Sequence, residues 1–397
     1  MRHRLVLLLT LTMVLSLALV IPSSAHPNDG PGDGQDAPSE THGEDGQFFD
    51  SRLRTGPCVK GMAGDFPCDN VMIHSFLPMD EIGGGRGSDV WGWTDPETGR
   101  RYVIAGRDNG TAFIDITNAA RPTYLGNLPT AGTRNVIWRD IKVYENHAFI
   151  VSEAPGHGMQ VFDLTRLRGI DHRSAPVELS ADARYTGFTR SHNVAINEDT
   201  GFAYAVGSRL NAGQGPEPCG GGLHMIDIRS PKSPAFAGCW TGDGYVHDTQ
   251  CVVYDGPDGR FTGRELCFGS NADTFSIVDV TDKANPVQLA VSDYEGRAFT
   301  HQGWLTEDKS YFLMGDEADE LRRGVNTSTY IWDVRTVDEI AVIGVHEGPT
   351  KAIDHNMYVK GNYVYQSNYR AGFFVLALDD IAEGRLNQVG FLDVYPP

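Results

Sequence analysis

Four histidines stand just ahead of apolar runs at a near-constant interval: His192, His247, His301 and His355, separated by 55, 54 and 54 residues. Two earlier positions in the same phase are Ser88 and Arg139, at intervals of 51 and 53. The next residue in each case is Asp89, Asp140, Asn193, Asp248, Gln302 or Asn356. Neutral imidazoles beside carboxylates and amides can hold a divalent ion such as Zn, Mn, Fe or Ca, with the neighbouring Asp, Asn or Gln orienting each second ring nitrogen. That chemistry works only if the rings converge to about 2.1 Å from one ion. Residues some 54 apart can meet only if the chain repeats a structural unit.

It does repeat. A strand closing on Asp recurs as AFIDIT (112–117), QVFDLT (160–165), HMIDIR (224–229), SIVDVT (276–281), YIWDVR (330–335) and, more weakly, FVLALD (374–379). Two strand-like runs with turn residues between them precede each copy, and a further run follows several copies after Pro. Four short antiparallel strands per unit, repeated six times, predict an all-β six-bladed β-propeller, because no unit can bury its face alone. The segment 70–78 reads as a spare outer strand that closes the ring, in competition with 388–395. The recurrent Asp115, Asp163, Asp227, Asp279 and Asp333 read as turn caps. Trp91, Trp93, Trp138 and Trp304 read as packing between blades.

In a propeller the first strand of each blade lines the axial channel, so the His column forms an arc at one mouth. The second strands end at the same mouth, and there the sequence turns polar: Gly106-Arg-Asp-Asn, Ser152-Glu153, Gly315-Asp-Glu, Ser367-Asn-Tyr. Three readings fit. The mouth holds a metal through His192, His247, His301 and His355. It is a metal-free pocket for a polar or sugar-like ligand, lined by Arg107, Arg139, Asp140, Asn193, Asp248, Gln302 and Asn356. Or the His column is a repeated packing solution. The role expected first is an extracellular binding module for a small molecule, glycan or protein. The alternative is a metal-dependent hydrolase or lyase, with Asp316 or Glu317 as general base and Arg107 stabilising developing negative charge.

The Asp strands resemble the LVIVD repeat of bacterial and archaeal surface propellers. Cys58-Val-Lys-Gly-Met-Ala-Gly, Gly106-Arg-Asp-Asn-Gly-Thr, Cys219-Gly-Gly-Gly-Leu-His-Met-Ile-Asp-Ile and Asp354-His-Asn-Met-Tyr-Val-Lys-Gly resemble the choice-of-anchor B family over roughly residues 58–397. The resemblance implies an exported propeller and no defined activity. Members of that family carry varied C-terminal anchors, whereas this chain ends Val394-Tyr-Pro-Pro, so free secretion is expected.

The first 25 residues have Arg2, His3 and Arg4 ahead of an apolar run at 5–21 and small residues up to Ala25. This is the pattern of a cleaved secretory signal peptide. Residues 26–57, rich in Gly, Asp, Glu, Pro and Ser, predict a disordered linker before a propeller at 58–397. No other apolar run approaches a membrane span. The net charge of −19 excludes nucleic acid as a natural partner. Six Cys in an exported chain suggest Cys58–Cys68, Cys219–Cys239 and Cys251–Cys267 as pairs. A closed ring has few free edges, which favours a monomer.

Overall fold

A computed structural model of the protein describes residues 55–210 and 218–395. The expected signal peptide at 1–25 and the expected linker up to residue 54 lie outside the described residues. Gly56–Pro57, the end of the linker segment, already pair with Met72–Ile73.

Six antiparallel sheets follow one another as blades. The innermost strands are Gly87–Thr94, Arg139–Tyr144, Asn193–Asn197, Asp248–Val253, Thr300–Leu305 and Asn356–Lys360. The second strands are Arg101–Arg107, His147–Ser152, Phe202–Val206, Glu265–Ser270, Tyr311–Asp316 and Tyr363–Asn368. The Asp strands come third, and the outer strands fourth. Third strands such as Gly110–Asp115 and Phe275–Asp279 are buried throughout, because neighbouring blades cover both faces. Phe275 and Phe312 stack at 4.6 Å between blades four and five, for example. This is why the Asp strands read as continuous apolar runs rather than an alternation.

Each Asp closing a third strand accepts a hydrogen bond from the backbone two residues on: Thr117 N at 2.8 Å, Thr165 N at 3.1 Å, and Arg229, Thr281 and Arg335 N at 3.0 Å. These are Asx turns, and they end the strand. In five blades the register between third and fourth strands slips by one residue, just ahead of this turn. The fourth strand places Gly238 and Gly344 there, so close to the next turn of chain that a Cβ would strike the Lys283 and Gly384 carbonyls.

Of the two segments expected to compete for the last place in blade six, the C-terminal one takes it. Asn387–Leu392 is the fourth strand of blade six, and Phe66–Asp69, not 70–78, adds outside it, with Met62–Ala63 beyond. Phe66 and Cys68 face inward and are buried, whereas Asn70 takes a left-handed φ of 50° and turns the chain away. The following Met72–Ile73 then pairs back on Gly56–Pro57. Blade one also gains a fifth strand, Val177–Glu178, laid parallel on Thr123–Pro129.

The disulfides Cys58–Cys68, Cys219–Cys239 and Cys251–Cys267 are all formed, leaving no free thiol among the described residues. Such a set is characteristic of an oxidising environment. No described helix is long and apolar enough to cross a membrane.

Candidate functional site

The innermost strands bring the four histidines into a continuous arc. Ring centroids are 4.3 Å apart for His192–His247, 4.4 Å for His247–His301 and 4.7 Å for His301–His355. The arc continues to Tyr369, whose ring is 4.6 Å from His355. His247 and His301 are buried.

What orients the rings is not the adjacent residue but a neighbouring blade. His247 Nδ1 meets the His301 carbonyl at 2.9 Å, and His301 Nδ1 meets the His355 carbonyl at 3.1 Å. His192 Nδ1 meets Glu153 Oε1 at 2.6 Å. A carbonyl or carboxylate oxygen only accepts, so each Nδ1 carries the proton. In the neutral ring Nε2 is then a bare lone pair. Burial, followed by the neighbouring imidazoles, pushes the His247 pKa well down and that of His301 down to about 3, which keeps both rings neutral.

The His301 lone pair faces a carboxylate. His301 Nε2 lies 3.4 Å from Glu317 Oε2, and His355 Nε2 lies 3.9 Å from Glu317 Oε1. The Tyr369 hydroxyl donates to Glu317 Oε1 at 2.7 Å and holds the carboxylate in place. One ligand atom each from His247, His301 and Glu317 falls within 4.8 Å of the others. Ligands about 2.1 Å from a tetrahedral ion stand roughly 3.4 Å apart, so a small inward adjustment completes a three-ligand set.

The residues beside the histidines serve another purpose. Asp89 Oδ2 accepts from Ile141 N at 3.0 Å, and Asp140 Oδ2 from Val194 N at 2.7 Å. Asn193 Nδ2 donates to the His247 carbonyl at 3.2 Å. Gln302 accepts from Met357 N at 2.8 Å and donates to Met357 O at 3.0 Å. These four side chains therefore stitch their inner strands to the next ones. Asp248 lies in the channel with Asp140, and burial first, then that neighbouring charge, push its carboxyl up to about 7. Lys142 pairs with Asp140 at 2.6 Å and sits 4.5 Å over the Trp91 ring. Trp91 and Trp304 pack on Tyr358 at 5.7 and 4.9 Å and fill the channel below the histidines. Asn356 is half-buried at the start of its strand.

Three other candidates are placed away from the His–Glu317 cluster. Arg107 is 1% exposed, and its guanidinium is taken up within blade one by the Gly84 carbonyl and Asn127. Arg139 is 2% exposed and bonds the Arg107 carbonyl and His157. Asp316 is buried and accepts from Ala298 N, Phe299 N and the Tyr294 hydroxyl at 2.6, 2.7 and 2.8 Å. Its oxygens hold the loop that enters blade five. Glu153 and Tyr369 carry no motif of their own. Their only signal is position, since both follow the end of a second strand, as Glu317 does.

No protein-family model matches the chain, and no curated protein matches it. Among solved structures, a protein of unknown function from Desulfotomaculum acetoxidans aligns with a TM-score of 0.51 at 13% identity, over 83% of this chain and 96% of that one. A provisionally assigned 6-phosphogluconolactonase from Bacteroides uniformis aligns with a TM-score of 0.52 at 12% identity, over 75% and 82%. At such identity the likeness shows the propeller fold alone.

Proposed function

We propose that this is an exported binding propeller of the choice-of-anchor B kind, whose ligand is taken at the His-rich mouth through a divalent transition metal held by His247, His301 and Glu317. One observation carries the reading. An imidazole whose proton is committed to a carbonyl presents its lone pair to a carboxylate at 3.4 Å. Two acceptors face each other, and a cation between them turns the repulsion into two bonds. The carbonyls that orient Nδ1 are the outer partners that metal-binding histidines ordinarily have. Two imidazoles and a carboxylate suit Zn, Mn or Fe, and leave positions open for a ligand. Three disulfides and the N-terminal sequence pattern support export.

A metal-dependent hydrolase or lyase is the second reading. His192 and Glu153 favour it: they form a hydrogen-bonded pair at 2.6 Å, with the His192 ring centred 4.3 Å from that of His247 and tilted against it. Such a pair beside a metal can accept a proton from a bound nucleophile.

Elemental analysis of the purified protein tests the metal, with wild type beside the His247→Ala, His301→Ala double variant. One equivalent of a transition metal in wild type, lost in the variant, is expected. Absence of metal from wild type, with no change in thermal stability on adding Zn2+, Mn2+ or Fe2+, overturns the reading and leaves the His arc as packing.

A further inference from the structure

Next to the mouth, but separate from the imidazoles, lies a set of carboxylates that the metal reading does not use. The short helix Asp319–Arg323 in blade five and the loop leading into the innermost strand of blade six bring Asp319, Glu320 and Asp354 together. All three are buried, with exposures of 0%, 6% and 1%. Glu320 Oε1 accepts from Asp354 N at 3.1 Å, and Asp354 Oδ2 accepts from Asp316 N at 3.1 Å. The other four oxygens (both of Asp319, Oε2 of Glu320 and Oδ1 of Asp354) receive no hydrogen bond. The Ser328 hydroxyl beside Asp319 is turned to the Asn326 carbonyl at 3.0 Å. Arg322 and Arg323, on the same helix, each send a guanidinium N–H to a carbonyl, that of Ala298 and that of Gly296. Gly315 leaves the room that Asp354 occupies, since a Cβ there would collide with its carboxylate.

We propose that Asp319, Glu320 and Asp354 form a second cation site, for a hard, oxygen-seeking ion of the Ca2+ class, at the junction of blades five and six. Buried carboxylates without donors are strongly unfavourable unless neutralised. A single shared proton satisfies two of the four open oxygens, whereas a cation satisfies all four. The donors are oxygen alone, which excludes the softer preference of the His-lined mouth. Ca2+ takes six to eight oxygen ligands at about 2.3–2.6 Å in flexible geometry. Bound there, it ties the segment that carries Glu317 to the segment that carries His355.

The proposal is independent of the mouth metal, and its test keeps the two apart. Chelator-treated full-length protein is dialysed against Ca2+ and the bound ion counted, in wild type, in His247→Ala, His301→Ala, and in Asp319→Asn, Asp354→Asn. One Ca2+ per chain is expected in the first two and none in the third. A Tm rise of roughly 4 °C at a hundredfold excess over Kd should follow the same pattern. Glu320→Gln provides a second variant should the double one fail to fold, and it should lower Ca2+ affinity at least tenfold. Wild-type protein that retains no Ca2+ overturns the proposal, as does undiminished binding in the Asn variant. Stability that rises on acidification and ignores Ca2+ also overturns it, and assigns the cluster to shared protons.

Discussion

Glu317 sits between an imidazole lone pair and a hydroxyl: its Oε2 is 3.4 Å from His301 Nε2, and its Oε1 accepts from the Tyr369 hydroxyl at 2.7 Å. The two contacts have opposite character. The hydroxyl is a donor matched to the carboxylate, and the imidazole nitrogen is a second acceptor set against it.

Glu317→Gln should therefore act in opposite directions on the two states of the site. The amide can donate to His301 Nε2 and remove the repulsion, so metal-free protein should gain about 1 kcal/mol. Metal affinity should fall at least tenfold, because a charged ligand is lost. Thermal unfolding with and without chelator, beside a metal titration, checks both signs.

Gln302 and Met357 join blades five and six through two hydrogen bonds of 2.8 and 3.0 Å, and Gln302 is 2% exposed. Gln302→Ala strands a buried N–H and a buried carbonyl and should cost about 2–4 kcal/mol. Denaturant unfolding measures it. Gln302→Glu keeps the acceptor and loses the donor, so it should recover only part of the loss near pH 5 and less at pH 8.

Cys58–Cys68 closes a loop over a sequence separation of 10 and ties Cys58 to the strand Phe66–Asp69, which pairs along the outer edge of blade six. Replacing both with Ser should lower stability by about 2–3 kcal/mol through the freed unfolded chain. Amide exchange should accelerate first at residues 62–69, the outermost strands of that sheet, and leave 363–377 protected.

Acid should destabilise the fold in a defined window. Hydrogen bonds from Arg260 hold Asp258 at about 2; Lys232 and Thr165 bring Asp163 to about 2 against the opposing effect of burial. Folded values below the ordinary 3.8 mean that the stabilisation is complete above about pH 5 and lost as pH falls through 4 towards 2. Unfolding free energy measured from pH 6 to 2.5 should drop over that interval. The Asp258→Asn variant should begin less stable and fall less steeply.

The sequence by itself suggested the three Cys pairs that form, and it determined the propeller, its six units and the phase of each innermost strand. These follow from periodicity, because a repeated unit must meet its neighbours in the same way each time, and equivalent residues then stack into columns. The His column belongs to this class. Tertiary structure alone decided what each column does. Asp140, Asn193 and Gln302 read as ligands because they are polar beside the His column, yet strand-to-strand geometry uses them as seams. Which ring nitrogen is free depends on a carbonyl some 54 residues away, and no local pattern encodes that contact. Glu153, Glu317 and Tyr369 come from three different second-strand ends, and their convergence depends on blade rotation rather than on spacing. The fourth place in blade six went to Asn387–Leu392, and the strand added outside it is Phe66–Asp69 rather than 70–78 for a similar reason: a left-handed Asn70 and a buried Cys68 selected the segment, and apolar content could not distinguish the two.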